Sequence, residues 1–272
     1  MFERFTLIAG PCLLEDDGLN LEVAGELARL AGTLDLPVVF KASFDKANRS
    51  RPGAARGPGL EAGLALLERI SGETGLPILT DVHLPAQCEP AAEVADVLQI
   101  PAFLCRQTDL VEAAGATGRA VNLKKGQWMA PEEMGAAAAK ARAAGAGTVA
   151  VTERGTFFGY GDLVVDMRSF ARLRAAAEAP AIFDGTHSVQ RPGLAEGASG
   201  GDPEHIPALV RAAVAAGCDG LFIETHPDPA SAPSDATNML PLARLPGLLR
   251  DVLALRLALA ESRDRAVGST DG

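Results

Sequence analysis

Charged and hydrogen-bonding side chains are concentrated in the segment Phe40–Ser50, directly after the short apolar run Leu36–Val39. The segment carries three cations, a carboxylate, an amide and two hydroxyl groups. The apolar run indicates a buried strand, and a strand that ends in so many polar groups favours a binding site at its end. The alternative interpretation is a solvated basic loop.

The lysines of this chain are unevenly distributed. Among 25 Lys and Arg residues only five are lysines, and four of these five lie at two predicted strand ends. Lys presents a compact point charge that neutralises a phosphate or donates a proton, whereas Arg presents a planar fork of donors. We therefore interpret Lys41, Lys46 and Lys124 as residues placed for chemistry.

Two sets of side chains follow the predicted strands, and the first set is cationic. It consists of Lys41, Lys46, Arg49, Lys124 and Arg154. One phosphate seldom needs so many cations. The set therefore predicts a pocket for two phosphorylated substrates, or for a phosphate together with a carboxylate.

The second set contains metal-ligand types: Cys12, His187, Glu224 and Asp235. A thiolate, an imidazole and two carboxylates suit a divalent transition metal (Zn²⁺, Fe²⁺, Mn²⁺ or Co²⁺) better than Mg²⁺ or Ca²⁺. The four residues form no short ligand motif. Taken singly, Cys12 also fits a small buried apolar residue, and His187 a structural hydrogen-bonding residue. No organic cofactor is indicated.

Eight strand-like apolar runs, each followed by a helical pattern, position these residues. Continuous apolar runs are typical of parallel strands covered by helices. Eight such units in about 250 residues predict an α/β fold with one domain, the (β/α)8 TIM barrel, and a doubly wound open sheet is the alternative. We assign residues 1–262 to the barrel and residues 263–272 to a polar C-terminal tail. The runs are Phe5–Ala9, Val38–Ser43, Pro77–Val82, Val97–Ile100, Ala120–Leu123, Thr148–Thr152, Ala181–Asp184 and Leu221–Glu224.

Composition narrows the classes of partner and the cellular location. The net charge is −10 and the pI is near 4.9, which argues against nucleic acid or an anionic membrane as partner, because both need a basic surface. No apolar run approaches the roughly 20 residues of a membrane span, and no signal peptide is visible. The four cysteines are scattered without CxxC spacing, so we expect free thiols and a cytoplasmic protein.

Several long motifs identify a family. The most specific is Lys41–Ser50, and the matches run from about residue 6 to residue 245. Together they resemble the 3-deoxy-D-manno-octulosonate 8-phosphate (KDO8P) synthases. The further motifs are Ile8–Cys12, Arg56–Glu61, Gln99–Leu110, Asn122–Lys125, Thr152–Gly155, Phe158–Tyr160, Asp184–Gln190 and Glu224–Pro229.

This resemblance implies a (β/α)8 barrel that forms a homo-oligomer, usually a tetramer. It implies a transferase that condenses phosphoenolpyruvate with D-arabinose 5-phosphate and water, giving KDO8P and inorganic phosphate in lipopolysaccharide precursor synthesis. It also implies residue roles. By similarity, phosphoenolpyruvate is held by Lys46, Lys124 and Arg154, with Lys41, Ser43 and Gln99 nearby; arabinose 5-phosphate is held by Asn48, Arg49 and Ser50, and Arg106 reaches the sugar phosphate of a neighbouring subunit.

The resemblance also bears on the metal. Cys at position 12 is similar to the metal-dependent branch of the family, whereas the other branch has Asn there. His187, Glu224 and Asp235 match the remaining ligands of that branch. We predict Lys46, Lys124, Asp81 and His187 as the catalytic residues.

One loop departs from the family, and two other functions stay open. The residues Arg51–Ala55 replace the Ser-Ile-His-Ser and aromatic residue that usually follow Ser50, so the details of this loop are expected to differ. The first alternative is the related synthase that uses erythrose 4-phosphate, and the choice of aldose phosphate distinguishes it. The second is a non-catalytic sugar-phosphate-binding barrel. Loss of Lys124 or of a metal ligand would favour this second alternative, and none is lost.

Overall fold

The computed structural model of the protein describes residues 1–48, 53–195 and 198–268. Eight parallel strands form a closed barrel, because each strand pairs with the next one along the chain and the eighth pairs with the first. The predicted single-domain (β/α)8 barrel is therefore the observed architecture. The barrel strands are β1 (Thr6–Gly10), β2 (Val38–Lys41), β3 (Ile78–Asp81), β4 (Val97–Ile100), β5 (Ala120–Lys124), β6 (Thr148–Glu153), β7 (Ala181–Asp184) and β8 (Gly220–His226).

Helices follow the strands and cover the outside of the barrel. The last helix begins at Leu245, as predicted, but extends to Gly268, so residues 263–268 of the predicted polar tail are helical. The two Arg residues and the Ala residue of this segment favour helix. Within the described ranges, no helix combines the length and apolar character that crossing a bilayer requires. The helices are α1 (Asp17–Leu34), α2 (Leu60–Thr74), α3 (Pro85–Val94), α4 (Thr108–Ala116), α5 (Met134–Ala144), α6 (Ser169–Ala177), α7 (Ile206–Ala215) and α8 (Leu245–Gly268).

Three small strand pairings decorate the C-terminal end of the barrel where the sequence predicted only loops. An antiparallel hairpin, Thr156–Gly159 with Asp162–Val164, follows β6. A second one, Gln190–Ala195 with Ala198–Gly201, follows β7. The short strand Leu240–Pro241 pairs with the end of β8 and returns the preceding loop to the barrel.

The interior of the barrel is built in two layers. The lower layer is an apolar cluster to which Phe2 also belongs. Because side chains alternate between the two faces of a strand, the residue two positions further on faces the same interior. In seven of the eight strands that residue is polar, and in β1 it is Gly10, two positions after Ile8. The apolar residues of the other strands are, in order, Val39, Leu79, Val97, Ala120, Ala150, Ile182 and Phe222. The polar residues two positions after them are, in the same order, Lys41, Asp81, Gln99, Asn122, Thr152, Asp184 and Glu224.

Gly10 permits close approach of β1 and β2 at the base of the polar layer. A Cβ atom at this position would lie 2.1 Å from the carbonyl oxygen of Lys41. No side chain larger than hydrogen fits there without moving the backbone of β2. Gly10 therefore sets the position of Lys41 on β2. It also sets the position of Cys12, which lies two residues after Gly10.

Candidate active site

A cavity of about 1000 Å³ lies at the C-terminal ends of the barrel strands, where active sites of this fold are found. Charged groups from many separate segments of the chain meet in it. Most of the predicted site residues are thus brought together. Those that line the cavity are Lys41, Lys46, Asn48, Asp81, Gln99, Lys124, Arg154, His187, Glu224 and Asp235.

The other predicted residues differ in their placement. Ser43 and Cys12 are buried and donate hydrogen bonds to the cavity residues Asp81 and Asp235, respectively. Arg106 is exposed beyond the short 3-10 turn Ala102–Leu104 and does not line the cavity of its own chain. Arg49 and Ser50 lie outside the described residues, so their roles stay predictions.

Asp184 joins two predicted catalytic residues, Lys124 and His187. Its Oδ2 atom lies 2.5 Å from Lys124 Nζ and 2.7 Å from His187 Nδ1, and its Oδ1 accepts the backbone N–H groups of Thr186 and His187. Burial lowers the pKa of Lys124 to about 8, although Asp184 opposes this shift. Burial would raise the pKa of Asp184, but His187 and Lys124 hold it well below its ordinary value.

Sequence reasoning noted Asp184 as a polar residue at a strand end but assigned it no role. The signal that could have found it is its position: it is the inward-facing residue after Ile182 and stands three residues before His187. A carboxylate there can reach both the histidine of its own loop and a lysine on a nearby strand.

Lys41 is a buried cation held entirely by protein groups. Its Nζ atom lies 2.6 Å from Glu224 Oε1 and 3.0 Å from the carbonyl oxygen of Cys12. A second carboxylate, that of Asp81, lies 3.8 Å away. Lys41 therefore links β2 to β8 and balances carboxylates that would otherwise be buried without a counter-charge.

Three of the four predicted metal ligands meet at one point. One ligand atom each from Cys12, Glu224 and Asp235 lie within 4.8 Å of one another. Cys12 Sγ is 2.8 Å from Asp235 Oδ2. The fourth, His187, adjoins this cluster, because its Nε2 atom lies 3.8 Å from Glu224 Oε2.

The chemistry of this group fits a divalent transition metal. Glu224 Oε2 is buried without a hydrogen-bond partner, which leaves an anionic oxygen for a cation. His187 Nδ1 is hydrogen-bonded to Asp184, so Nε2 is the nitrogen that points toward the cluster. A metal-binding histidine usually has its other ring nitrogen hydrogen-bonded to a carboxylate in this way. Burial and the charges of Asp235 and Glu224 raise the pKa of the Cys12 thiol, and a bound cation reverses that balance by stabilising the thiolate.

One side-chain donor of Arg154 has no partner among the described residues. Its Nη2 donates to Gln190 Oε1 at 2.6 Å, whereas its Nη1 is buried without a partner. Gln190 in turn donates to Asp235 Oδ1 at 3.2 Å, so it joins the cationic part of the site to the metal-ligand cluster. Gln190 belongs to a motif that the sequence matched, yet it was not predicted as a site residue.

Asp81 is the acceptor for two neighbouring side chains. Ser43 donates to its Oδ2, and Gln99 Nε2 donates to its Oδ1 at 2.7 Å. Burial would raise the pKa of Asp81, but Lys41 and Lys46 hold it well below its ordinary value. The group is therefore an ionised acceptor at neutral pH.

A further buried ion pair, between Lys125 and Glu153, was not predicted. Lys125 Nζ is 3.4 Å from Glu153 Oε1, and it also donates to Thr156 Oγ1. The same Glu153 oxygen accepts the backbone N–H groups of Arg154 and Gly155. These contacts fix the backbone next to Lys124 and Arg154, whose side chains face the cavity.

Comparison with known proteins agrees with this geometry. Residues 3–255 match the DAHP synthetase I family. The chain is 55% identical over 252 residues to a 2-dehydro-3-deoxyphosphooctonate aldolase of Nitratidesulfovibrio vulgaris (strain DP4), covering 93% of this chain and 92% of the relative. Proteins of the same name from Rhodopseudomonas palustris and Syntrophotalea carbinolica are 54% and 53% identical, covering 96% and 92% of this chain and 91% and 90% of the relatives.

These matches extend over nearly the whole barrel and so include every strand end that contributes to the cavity. The chain therefore belongs to the DAHP synthetase I family and, within it, to the 2-dehydro-3-deoxyphosphooctonate aldolases, also called KDO8P synthases.

Proposed function

We propose that this protein condenses phosphoenolpyruvate with D-arabinose 5-phosphate and water to give KDO8P and inorganic phosphate. The observation that carries the proposal is the cavity at the strand ends, in which Lys46, Lys124 and Arg154 converge, in a chain about half identical to relatives named for this product. Two anionic substrates repel each other unless cations lie between and around them. This cavity supplies such cations.

The reaction makes one carbon–carbon bond and one carbon–oxygen bond, the latter from water, and breaks the carbon–oxygen bond to phosphate. The C3 carbon of phosphoenolpyruvate attacks the aldehyde carbon of the sugar, and the aldehyde oxygen takes up a proton. Positive charge develops at C2 of phosphoenolpyruvate, and water adds there. The resulting hemiketal phosphate loses inorganic phosphate, and the C2 carbonyl forms as a proton departs.

Each substrate is assigned to part of the cavity. Lys46, Lys124 and Arg154 bind the phosphate and carboxylate of phosphoenolpyruvate, and Nη1 of Arg154 has no hydrogen-bond partner among the described residues. Lys41, Ser43 and Gln99 complete the part of the site that is assigned to phosphoenolpyruvate. By resemblance, arabinose 5-phosphate is assigned to Asn48, Arg49 and Ser50, of which Asn48 lines the cavity.

Lys124 is the best candidate for proton donation to the aldehyde oxygen. Its pKa near 8, lowered by burial, keeps it protonated at neutral pH while weakening its hold on the proton. Asp81, His187 and Lys46 are the other proposed catalytic residues. All four line the same cavity.

We also propose a divalent transition metal bound by Cys12, Glu224 and Asp235 together with His187. Among the described cavity-lining residues, four cations (Lys41, Lys46, Lys124 and Arg154) face four carboxylates (Asp81, Asp184, Glu224 and Asp235). The pocket therefore carries little net charge, and a divalent cation gives it the positive charge that two anionic substrates need. When bound, such a metal supplies Lewis-acid polarisation of an oxygen ligand.

Assembly and location follow from the same assignment. A homo-oligomer, by resemblance a tetramer, is supported by the exposed Arg106 near the rim of the cavity, where it is accessible to a neighbouring subunit. A cytoplasmic location is supported by Cys12, Cys88, Cys105 and Cys218, which are all free thiols.

The assay that tests the function measures phosphate release from phosphoenolpyruvate with either aldose phosphate. We expect arabinose 5-phosphate to support turnover and erythrose 4-phosphate to support little. The reverse preference identifies the erythrose 4-phosphate synthase. Absence of turnover with both sugars, in protein supplied with Zn²⁺, Fe²⁺, Mn²⁺ or Co²⁺, contradicts the enzyme assignment and favours a binding protein.

A further inference from the structure

A continuous chain of buried side-chain hydrogen bonds crosses the interior of the barrel; we call it the polar belt. Thr152 Oγ1 donates to Asn122 Oδ1 at 2.7 Å, and Asn122 Nδ2 donates to Gln99 Oε1 at 2.8 Å. Gln99 Nε2 then donates to Asp81 Oδ1 at 2.7 Å. Ser43 donates to the other carboxylate oxygen and completes the belt.

The register of the barrel explains why these side chains meet. Asp81 on β3 is in register with Gln99 on β4, and Gln99 is in register with Asn122 on β5. On β6, Ala150 is in register with Asn122, and Thr152 lies two residues further along the same face. The side chains of the belt on β3, β4 and β5 therefore lie at one level of the barrel. On β6 the belt continues from Thr152, which lies two residues nearer the C-terminal end of the strand.

From Thr152 onward, the hydrogen bonds of the belt donate in one direction, toward Asp81. An ionised carboxylate only accepts hydrogen bonds, so Gln99 must turn its NH₂ group to Asp81 and its oxygen away. That oxygen needs a donor, which is the NH₂ group of Asn122, and the oxygen of Asn122 needs the hydroxyl of Thr152. Each member thus fixes the orientation of the next one.

We propose that Asn122 and Thr152 are positioning residues for the reaction, because they fix the orientation of Gln99 and Asp81. Both are fully buried and neither lines the cavity, whereas Gln99 and Asp81 do. An amide has two N–H bonds and two acceptor lone pairs; the belt uses one of each on Gln99 and leaves one of each for a substrate. The inference rests on the proposed function, which assigns Gln99 and Asp81 to the site.

The first test removes the hydroxyl that starts the belt. Thr152→Val keeps the side-chain shape but lets the Asn122 amide turn, so we expect kcat to fall about tenfold, the size of one lost hydrogen bond. Thr152→Ser restores the donor and should stay within about twofold of wild type. The matched control is Thr6→Val, because Thr6 is also buried and interior but donates to Arg4 O near the opposite end of the barrel.

The readout separates positioning from mere stability. Both valine variants should lower the melting temperature by similar amounts, and only Thr152→Val should lower kcat. Wild-type kcat in Thr152→Val overturns the proposal. An equal loss of kcat in Thr6→Val overturns it too, because that loss is then a general effect of a missing interior hydroxyl.

The second test reverses the polarity of the belt with the nearly isosteric change Asn122→Asp. When protonated, the new carboxyl donates to Gln99 as the amide did. When ionised, it accepts instead and competes with Asp81 for the same N–H group. The ratio of variant to wild-type kcat should therefore fall about tenfold or more as pH rises through the titration of the new group, whose burial places its pKa above the ordinary range.

The other ionisable groups of the interior polar layer are Lys41, Asp81, Lys124, Asp184 and Glu224. These groups are present in both proteins, so the ratio removes most of their common contribution. A ratio that does not change with pH overturns the proposal, because a purely structural defect has no reason to follow this titration.

Failure of the proposed function has a different signature. If wild-type protein does not condense the two substrates, that function is wrong whatever the variants do. The belt is then tested by crystal structures of Thr152→Val and wild type. The proposal expects the Asn122 amide to turn or to occupy two conformers, and an unchanged Asn122–Gln99 pair overturns it.

Discussion

Lys124 and His187 share one carboxylate oxygen: Lys124 Nζ lies 2.5 Å, and His187 Nδ1 lies 2.7 Å, from Oδ2 of Asp184. The lysine is the proposed partner of phosphoenolpyruvate, and the histidine is one of the four proposed metal ligands. A single buried carboxylate thus couples the two halves of the site. Any change in the charge of one partner alters the hydrogen bond that holds the other.

This arrangement predicts how activity depends on pH. Burial lowers the pKa of Lys124 to about 8, so the lysine is charged below that pH and neutral above it. We expect kcat/KM for phosphoenolpyruvate, which reports the free enzyme, to fall as pH rises through about 8. The measurement is a pH profile between about pH 6 and pH 10. In Lys124→Arg this decline should be absent, because Arg does not deprotonate in this range; a decline at the same pH in both proteins contradicts the assignment.

Removal of the positive charge of Lys124 should lower turnover severely. Lys124→Met keeps much of the apolar stem, and we expect turnover to fall at least about a hundredfold, as for a positioned acid or charge. The melting temperature should also fall, because the buried carboxylate of Asp184 loses its lysine partner. The control is Lys140→Met on α5, because Lys140 donates to Thr108 in an exposed position; this variant should leave turnover unchanged. Near-normal turnover in Lys124→Met contradicts the role.

The sequence was most informative where local patterns decide the structure. The strands Val97–Ile100 and Ala181–Asp184 have the predicted bounds, because continuous apolar runs between helices specify buried parallel strands. The residue types at strand ends then indicated the site. The sequence could not predict which charged side chains form ion pairs. Lys124 and Asp184 are 60 residues apart, and only closure of the barrel decides which cation contacts which carboxylate.

The same limit explains the other differences. Gln190 and Glu153 act through contacts with Arg154 and its backbone, and no spacing rule predicts such contacts. The hairpin beginning at Gln190 lies in a segment for which the sequence predicts a long loop. The cationic pocket expected from the sequence is nearly neutral in the described residues, since carboxylates from β3, β7, β8 and the loop after β8 meet the lysines there.

Arg49 supplies a prediction from the sequence alone. If it binds the sugar phosphate, Arg49→Ala should raise the KM for arabinose 5-phosphate by about tenfold or more, the effect of losing a charge-assisted contact. Phosphoenolpyruvate binding, measured by calorimetry, should stay nearly intact. The control is Arg56→Ala in the same segment of the chain, because Arg56 already pairs with Asp45 at 2.6 Å. Equal weakening of both ligands in Arg49→Ala contradicts a specific role.

Two glycine substitutions should have opposite effects on stability. In Gly10→Ala the new Cβ meets the carbonyl oxygen of Lys41 at 2.1 Å, so we expect a loss of about 1–3 kcal/mol from overpacking together with lower activity. In Gly72→Ala on α2 the new Cβ meets nothing within 4 Å, so the helix should gain roughly 0.5–1 kcal/mol. Thermal unfolding of both variants checks the pair. A stable, fully active Gly10→Ala protein shows that β2 can move without consequence for the site.

The metal proposal predicts the metal content of the purified protein. A thiolate ligand favours soft or borderline metals, so we expect bound Zn²⁺ or Fe²⁺ by elemental analysis. Chelation should abolish turnover, and Mn²⁺ or Co²⁺ should restore it. Cys12→Ala should retain little metal and little activity, whereas Cys88→Ala should retain both, because Cys88 is a buried thiol on α3 outside the ligand cluster. Metal-free wild-type protein that turns over at full rate contradicts the proposal.

The variant Cys12→Asn tests whether turnover still requires a bound metal when Cys12 is replaced by an amide. The Sγ atom of Cys12 lies 2.8 Å from Asp235 Oδ2, so an amide at this position can donate to the same carboxylate and balance part of its charge. The branch of the family with Asn at this position offers the same group. We expect weak turnover that a chelator does not alter, and little bound metal by elemental analysis. Turnover that a chelator removes shows that His187, Glu224 and Asp235 still bind the metal without Cys12. A folded but inactive variant shows instead that the site has specialised around the metal, because the four cations of the cavity alone then do not give it the positive charge that two anionic substrates need.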